Sequence, residues 1–333
     1  MSLIAQVTTY PFGVHSPDPL DLLAQAGIEV RLSPHGRKHT TEETTALLGD
    51  VDILIAGTEP LPGSALSAGL PRLKQVARVG VGLDHFDVAW CARNGIAVTY
   101  TPDAPARSVV EEVFALLIGI SRRLIEAHEG LRRGEWLRLT GPLWQGRTLG
   151  IVGCGRIGKQ VAVLARAYGM RVLAHDIVFD QPWARAQGVE YVGLHDLLER
   201  SHAVSLHVPS TPATFRMIDA ARLARMRPGS YLINTCRGDV IDEAALHAAL
   251  ASNHLAGAAL DVYDREPYTG PLRDLPNIFL CCHQGSCSFE GRHAMEFGAA
   301  ENAVAVLQGR PVAPERVVWL PGMPLPGSPT DAA

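Results

Sequence analysis

Long hydrophobic runs are missing from this chain. No stretch approaches the ~18 consecutive apolar residues that a membrane-spanning helix requires. The opening segment MSLIAQVTTYPFGVH has neither a basic leader nor an extended apolar stretch, which argues against a secretory signal. Charge of one sign is not in excess either: the formal net charge is −4, so neither nucleic acid nor an anionic membrane is a natural partner. The six cysteines, Cys91, Cys154, Cys236, Cys281, Cys282 and Cys287, lack the spacing of a small secreted disulfide framework, and 333 residues need no such staples. A reducing, cytoplasmic setting is the expectation. Repeats are absent. The single biased segment is the Pro- and Gly-rich tail at 321–333, read as disordered. With 47% hydrophobic and 19% charged residues the chain has an ordinary globular mix, and its length suggests two domains.

What is present is a βα alternation. Strands are expected at Ser2–Thr9, Ile28–Leu32, Asp52–Ala56, Leu73–Val79 and Ile96–Tyr100, with a helix at Pro19–Ala26 and another opened by the capping box Thr40/Glu43. Such alternation implies a parallel sheet covered by helices. Residues 106–134 read as one long helix, lightly broken at Gly119, too long for one small domain to bury and therefore a connector or dimer arm. A second series follows, with strands at Thr148–Val152, Arg171–His175, Ala203–Val208, Ser230–Asn234, Ala256–Leu260 and Ile278–Cys281. A last helix, Ser288–Gly309, is expected to pack back on the first domain. The fold class is thus α/β, two Rossmann-like doubly wound parallel-sheet domains, the first flavodoxin-like.

The run TLGIVGCGRIG places Gly153, Gly155 and Gly158 between an apolar strand and a helix. In this setting the three glycines allow a tight turn, close approach of backbone to pyrophosphate, and close helix–strand packing. The helix start adds N–H donors and partial positive charge. The next strand ends at Asp176, the spacing at which a carboxylate receives the adenosine ribose hydroxyls. No Arg or Lys follows in Ile177-Val178 to favour a 2′-phosphate, so NAD is expected over NADP.

Three more strand ends carry charged groups: Asn234-Thr235-Cys236-Arg237-Gly238-Asp239, then Asp261 to Pro267, then Cys281-Cys282-His283-Gln284-Gly285. The carboxyl edge of a doubly wound sheet is where ligands bind. Oxidising a 2-hydroxy acid needs a cation for the carboxylate and C2 oxygen, a base for the hydroxyl proton, and a hydride acceptor. Arg supplies a permanently charged fork. His is the usual base near neutral pH, and a neighbouring carboxylate orients it.

The chain resembles the D-isomer-specific 2-hydroxyacid dehydrogenase family, in its D-3-phosphoglycerate dehydrogenase branch without a regulatory domain. The resemblance runs over nearly all of residues 3–310 and is carried by RVGVGLDHFDV (78–88), GIVGCGRIG (150–158), VSLHVPSTPAT (204–214), MRPGSYLINTCRGDVIDEAAL (226–246) and GAALDVYDREP (257–267). It implies that Arg237, Glu266 and His283 are substrate arginine, paired acid and acid/base histidine. It implies that Arg156, Ile157, Asp176, Val208, Thr235, Cys236, Asp261 and Gly285 join the three glycines around NAD. The loop Val79-Gly80-Val81-Gly82 would meet the substrate carboxylate, flanked by Arg78, with Arg138 donated across a homodimer. The implied domains are 1–101 plus 288–320 for substrate and 102–287 for NAD, with a dimerisation arm near 106–146. The spare arginines suggest a small 2-hydroxy or 2-keto acid with a second anionic group, such as a phosphate or phosphonate.

This sequence departs from the family at three points: Cys282 precedes the histidine where Pro is usual, 103–106 lacks a common Asn, and Gly57 stands where an Arg is often found. Other readings stay open at this point: a silent NAD-sensing protein on the same fold, or oxidation of another small oxyanion through Arg237 and His283. Cys281, Cys282, His283 and Cys287 lack the spacing of a zinc site, so no metal is expected.

Overall fold

The computed structural model describes residues 2–326 and divides into two compact units. One runs through Pro105 and resumes at Cys287; the other is the continuous stretch Ala106–Ser286.

The first unit is built from β1 (Leu3–Val7), α1 (Asp18–Gln25), β2 (Ile28–Arg31), α2 (Thr41–Leu47), β3 (Ile53–Ala56), α3 (Gly63–Leu66), β4 (Gln75–Arg78), α4 (Val88–Arg93) and β5 (Ala97–Thr99). After the second unit come α12 (Phe289–Leu307) and β13 (Val317–Trp319). The sheet order is β13-β5-β4-β3-β1-β2, parallel except for β13. Both faces are buried, as near-continuous apolar strands require. Ile53 and Ile55 face a core with Ala5, Val7, Leu23 and residues Met295, Ala299 and Ala303 of α12. Leu54 and Ala56 face the other, with Leu61, Leu66, Val76 and Val98. The capping box forms: Thr40 Oγ1 accepts from Glu43 N at 3.3 Å and Glu43 Oε2 accepts from Thr40 N at 2.9 Å. The three-residue strand β13 went unread in the sequence, because so short an edge segment has no periodicity.

The second unit runs α5 (Ala106–Ser121), α6 (Leu124–Arg132), β6 (Thr148–Val152), α7 (Arg156–Ala167), β7 (Arg171–His175), α8 (Gln181–Gln187), β8 (Val189–Tyr191), α9 (Leu194–Arg200), β9 (Ala203–Leu206), α10 (Ala220–Arg225), β10 (Tyr231–Asn234), α11 (Glu243–Ala251), β11 (Gly257–Leu260) and β12 (Ile278–Leu280). Its sheet is wholly parallel, in the order β12-β11-β10-β9-β6-β7-β8. Strand order reverses between β6 and β9, so a crevice opens at their carboxyl ends. One face packs Leu149, Ile151 and Val172 under α5 and α7; the other packs Val152, Leu206 and Leu232 under α9 to α11.

Two expectations need correction. The long helix is two helices, and the break falls at Arg123, which adopts φ 51, not at Gly119. Gly119 stays inside α5 because Phe279 packs onto it: an added Cβ would stand 2.6 Å from the ring. Nor is α5 an arm. Val109, Val113, Phe114, Leu116 and Leu117 are buried in the core of the second unit. The exposed apolar groups of this region lie further on, in α6 and the loop after it. As for the expected disordered tail, residues 321–326 are placed, with Trp319 Nε1 donating to the Pro324 carbonyl at 3.0 Å; the rest lies outside the described residues. Among the described residues no helix is long and apolar enough to cross a membrane.

Candidate active site

The crevice begins at the turn after β6. Gly153 has φ +90, and a Cβ there would stand 2.4 Å from the His207 carbonyl oxygen and 2.9 Å from Val208 Cγ1, so this glycine lets the turn close on the end of β9. At Gly158 a Cβ would stand 2.0 Å from the Gly153 carbonyl oxygen. Both glycines are demanded by the protein's own packing. Gly155 is not: a Cβ there meets nothing within 4 Å. It caps α7 without a side-chain hydrogen bond, and the exposed Arg156 and half-buried Ile157 follow. The helix start therefore opens onto space that a phosphate can occupy, with backbone donors and the positive end of the helix dipole behind it.

Asp176 follows β7, with Oδ2 accepting from Cys154 N at 2.6 Å and Oδ1 from Val178 N at 3.0 Å. Ile177 and Val178 beside it are 94% and 70% exposed, apolar surface of the kind an adenine covers. The hydroxyl of Thr235, beyond β10, is buried without a partner. An open glycine at a helix start, an acid at the end of the next strand and an orphaned hydroxyl together fit a dinucleotide. His207 beside the loop is pushed down to about 3 by desolvation and stays neutral, with Nε2 2.8 Å from Ser205 Oγ. Cys236 is pushed up to about 11 by burial, a neutral packing thiol.

The three candidate catalytic residues stand at the ends of the adjacent strands β10, β11 and β12. Arg237 sits in a turn fixed by Asn234, whose Nδ2 donates to the Arg237 carbonyl at 2.8 Å and whose Oδ1 accepts from Cys236 N at 3.0 Å. Arg237 Nη1 donates to the Cys236 carbonyl at 2.6 Å. Gly238 lets this turn lie against the next: a Cβ there would overlap the Tyr263 carbonyl carbon at 1.8 Å. Glu266, beyond β11, accepts at Oε1 from Tyr263 N at 3.3 Å and places Oε2 2.9 Å from His283 Nδ1. His283 holds φ 53, a left-handed conformation unusual outside glycine. Its N–H donates to the Asp261 carbonyl at 2.8 Å, while the Asp261 carboxylate accepts from Gln284 N and Gly285 N, each at 2.8 Å.

The expected substrate residues Arg78 and Val79–Gly82 belong to the first unit, at the carboxyl end of β4. Arg78 is buried, and its guanidinium donates to the carbonyls of Val79 and, at 2.9 Å, Gly82, so it shapes the loop from within. Gly80 N donates to Thr101 Oγ1 at 2.8 Å, leaving Val81 as the exposed part of the loop. Arg138 stands exposed on the segment after α6.

Two acids escaped the sequence reading. Glu59, 1% exposed, lies among the ends of β1 and β3, where Oε1 accepts from Thr8 Oγ1 and, at 3.0 Å, from Gly57 N. Glu112 lies on α5 with both carboxyl oxygens buried. A signal for it existed. In SVVEEVFALL, Glu112 is three residues after Val109 and four before Leu116, on the apolar stripe, whereas Glu111 falls outside it.

A family model described as D-isomer specific 2-hydroxyacid dehydrogenase, NAD binding domain, matches residues 114–285. Among curated relatives, a glyoxylate reductase of Korarchaeum cryptofilum is 41% identical over 269 residues, 78% of this chain and 81% of that protein. A D-3-phosphoglycerate dehydrogenase of Methanocaldococcus jannaschii is 36% identical over 289 residues, 86% of this chain and 55% of that protein. Of solved structures, the TT0316 protein from Thermus thermophilus matches with a TM-score of 0.87 and 35% identity, over 95% of this chain and 100% of that one. With a cofactor crevice that fits a dinucleotide and relatives alike along most of their length, the chain belongs to the D-isomer-specific 2-hydroxyacid dehydrogenases, NAD-dependent oxidoreductases acting on the CH–OH group of a 2-hydroxy acid.

Proposed function

We propose that this enzyme interconverts a small 2-oxo acid of the glyoxylate class and its 2-hydroxy acid, with Arg237, Glu266 and His283 as the working residues. The observation that carries the reading is the 2.9 Å contact between His283 Nδ1 and Glu266 Oε2, one strand away from Arg237. A carboxylate on Nδ1 keeps a proton there, so Nε2 is the nitrogen that gives or takes the substrate proton. Protonated, His283 donates to the C2 oxygen during reduction; neutral, it accepts the hydroxyl proton during oxidation. Arg237 binds the carboxylate and offsets charge gathering on the C2 oxygen. Gly153, Gly155, Arg156, Ile157, Gly158, Asp176, Val208, Thr235, Cys236, Asp261 and Gly285 would hold NAD, which when bound exchanges a hydride with C2.

A plain 2-oxo acid and one with a second anionic group ask different things of the first unit. A second anion needs a cation. At the ends of β1, β3 and β4 the cations are already engaged. Arg78 serves its own loop, and Arg292 bonds Glu296 Oε1 at 2.7 Å, Thr9 Oγ1 at 3.2 Å and the Pro11 carbonyl. Gly57 replaces the arginine, and a Cβ there would stand 2.8 Å from Glu59 Oε2 and 2.9 Å from Thr9 Oγ1. An acid occupying that place disfavours a phosphate by charge. This supports the plain acid over the phosphorylated one suggested by the arginines in the sequence, and the curated relative of highest identity named above carries the name glyoxylate reductase.

A homodimer is part of the same reading. Leu124, Leu131, Trp136 and Leu143 are 51%, 59%, 81% and 70% exposed, an apolar surface that a two-fold contact would bury twice. A reducing, cytoplasmic site suits a chain whose described cysteines are all free thiols. The deciding experiment follows NADH absorbance with glyoxylate, pyruvate, hydroxypyruvate and their phosphorylated and phosphonate analogues. Turnover of the plain acids, lost in Arg237→Ala, supports the proposal. NADH binding without turnover of any would favour the silent NAD-sensing alternative.

A further inference from the structure

One buried acid of the second unit takes no part in the chemistry above. Glu112 points from α5 beneath the loop that carries His283. Both its carboxyl oxygens are shut off from solvent, and no N–H or O–H of the described residues reaches them. Facing them are Asp261, 1% exposed, and Cys281; one ligand atom from each of the three lies within 4.8 Å of the others. Two carboxylates this close in a buried site cannot both keep their charge. The hydrogen bonds decide which one does. Asp261 accepts two backbone N–H bonds at 2.8 Å, from Gln284 and Gly285, which favour its anion. Glu112 has no such donors, so the proton belongs to it.

We propose that Glu112 is kept as a neutral carboxylic acid that donates to Asp261 and so positions the loop bearing His283. It is a positioning residue, and its role rests on the acid/base reading of His283 given above. Asp261 is the hub. Its carbonyl accepts from His283 N at 2.8 Å, and its carboxylate holds the next two amides. These bonds hold His283 at φ 53, a conformation that costs free energy for a side-chain-bearing residue. Glu112 also fills the space under the loop: a Cβ on Gly285 would stand 2.6 Å from Glu112 Oε2, so a side chain at 285 would push the carboxyl aside.

Burial and the nearby Asp261 both push the Glu112 carboxyl upward, which agrees with a proton held at neutral pH. Cys281 is pushed up to about 11 by burial and by the two acids, and burial, with Cys281, Asp261, Cys282 and Glu266 nearby, raises Tyr263. Both therefore stay neutral while Glu112 titrates. The exposed Cys282 and the imidazole of His283 complete the groups facing the pair. Loss of the Glu112 proton at alkaline pH leaves two adjacent anions under the loop, and their repulsion displaces His283.

The test has two arms. In infrared spectra at neutral pH the wild-type enzyme shows a carboxylic C=O band that titrates away at alkaline pH and is missing from Glu112→Gln. This arm needs no substrate, so it stands or falls independently of the activity assigned above. In the oxidation direction, kcat of the wild type falls at high pH. Glu112→Gln, whose amide donates at every pH, keeps kcat within a few-fold at neutral pH and loses the alkaline fall. Glu112→Leu, which cannot donate, drops kcat by roughly 10- to 100-fold, the scale of a slightly misplaced catalytic group, with a smaller change in KM. Melting temperatures of both variants separate misfolding from misplacement. The proposal is overturned by no carboxylic acid band at neutral pH, by a stoichiometric metal ion bridging Glu112, Asp261 and Cys281 in the purified enzyme, or by an alkaline fall that survives in Glu112→Gln.

Discussion

Nδ1 of His283 lies 2.9 Å from Oε2 of Glu266, across the carboxyl ends of two neighbouring strands. In the proposed mechanism the contact leaves the other ring nitrogen as the one that exchanges a proton, giving it to the C2 oxygen in reduction and taking it back in oxidation. His283→Gln is expected to lose roughly 10²- to 10⁴-fold in kcat in both directions. Glu266→Gln keeps a hydrogen-bonding partner but loses the charge favouring imidazolium, so reduction suffers more than oxidation. Initial rates in both directions across pH, with an unchanged profile in His283→Gln, would remove the acid/base assignment.

The glycines of the cofactor loop should separate by function. Gly158→Ala forces a Cβ to 2.0 Å from a backbone oxygen and is expected to lower the melting temperature of the apoenzyme. Gly155→Ala adds its methyl to open space at an ordinary φ of −82 and should fold normally while binding NADH at least tenfold more weakly. Thermal melts beside fluorescence titration measure both. Equal loss of stability in the two variants would contradict the assignment of Gly155 to a ligand.

In the proposed cofactor site Asp176, which accepts from the Cys154 amide, would receive the adenosine ribose, and a 2′-phosphate there would bring negative charge against it. The native enzyme should prefer NADH to NADPH in kcat/KM by orders of magnitude, and Asp176→Ala should narrow the ratio, chiefly through KM. Comparable use of both cofactors by the native protein would contradict this.

Glu59 makes the substrate proposal testable by a single charge. Glyoxylate should exceed phosphohydroxypyruvate in kcat/KM, and Glu59→Gln should shrink the gap while its amide still occupies the site beside Thr8 and Gly57. A native preference for the phosphorylated acid would restore the reading drawn from the arginines.

The exposed face of α6 and the following loop predicts a dimer. Sedimentation at micromolar concentration should give a species of twice the chain's 35.8 kDa, and Leu131→Asp with Trp136→Asp should yield monomers. A native monomer would leave that apolar surface unexplained.

Strand ends and their chemistry were legible in the sequence because each is a sharp change from a short apolar run to polar residues at a turn. That is how Asp176, Arg237, Glu266 and His283 could be named from residue order and resemblance. Partnerships across the chain were not legible. Nothing in the sequence says that Glu59 reaches back to Thr8 or that Asp261 and Glu112 meet, since these contacts join residues 51 and 149 positions apart. Gly119 misled for a related reason. A glycine within a helix reads as a weakness until the ring of Phe279 is found against it.

The chain completes its first unit last. Strands β1 to β5 leave the ribosome early, yet the face holding Ala5, Val7, Ile53 and Ile55 is covered by Met295, Ala299 and Ala303, and the sheet edge at β5 is closed by β13. At roughly 5–20 residues per second, about 10–40 s pass between synthesis of Thr99 and that of Val317. In that interval the continuous stretch Ala106–Ser286 emerges entire. The order of maturation is therefore reversed with respect to the order of synthesis. Translation that stalls before residue 289 would leave a finished nucleotide-binding half joined to an uncovered, chaperone-dependent sheet.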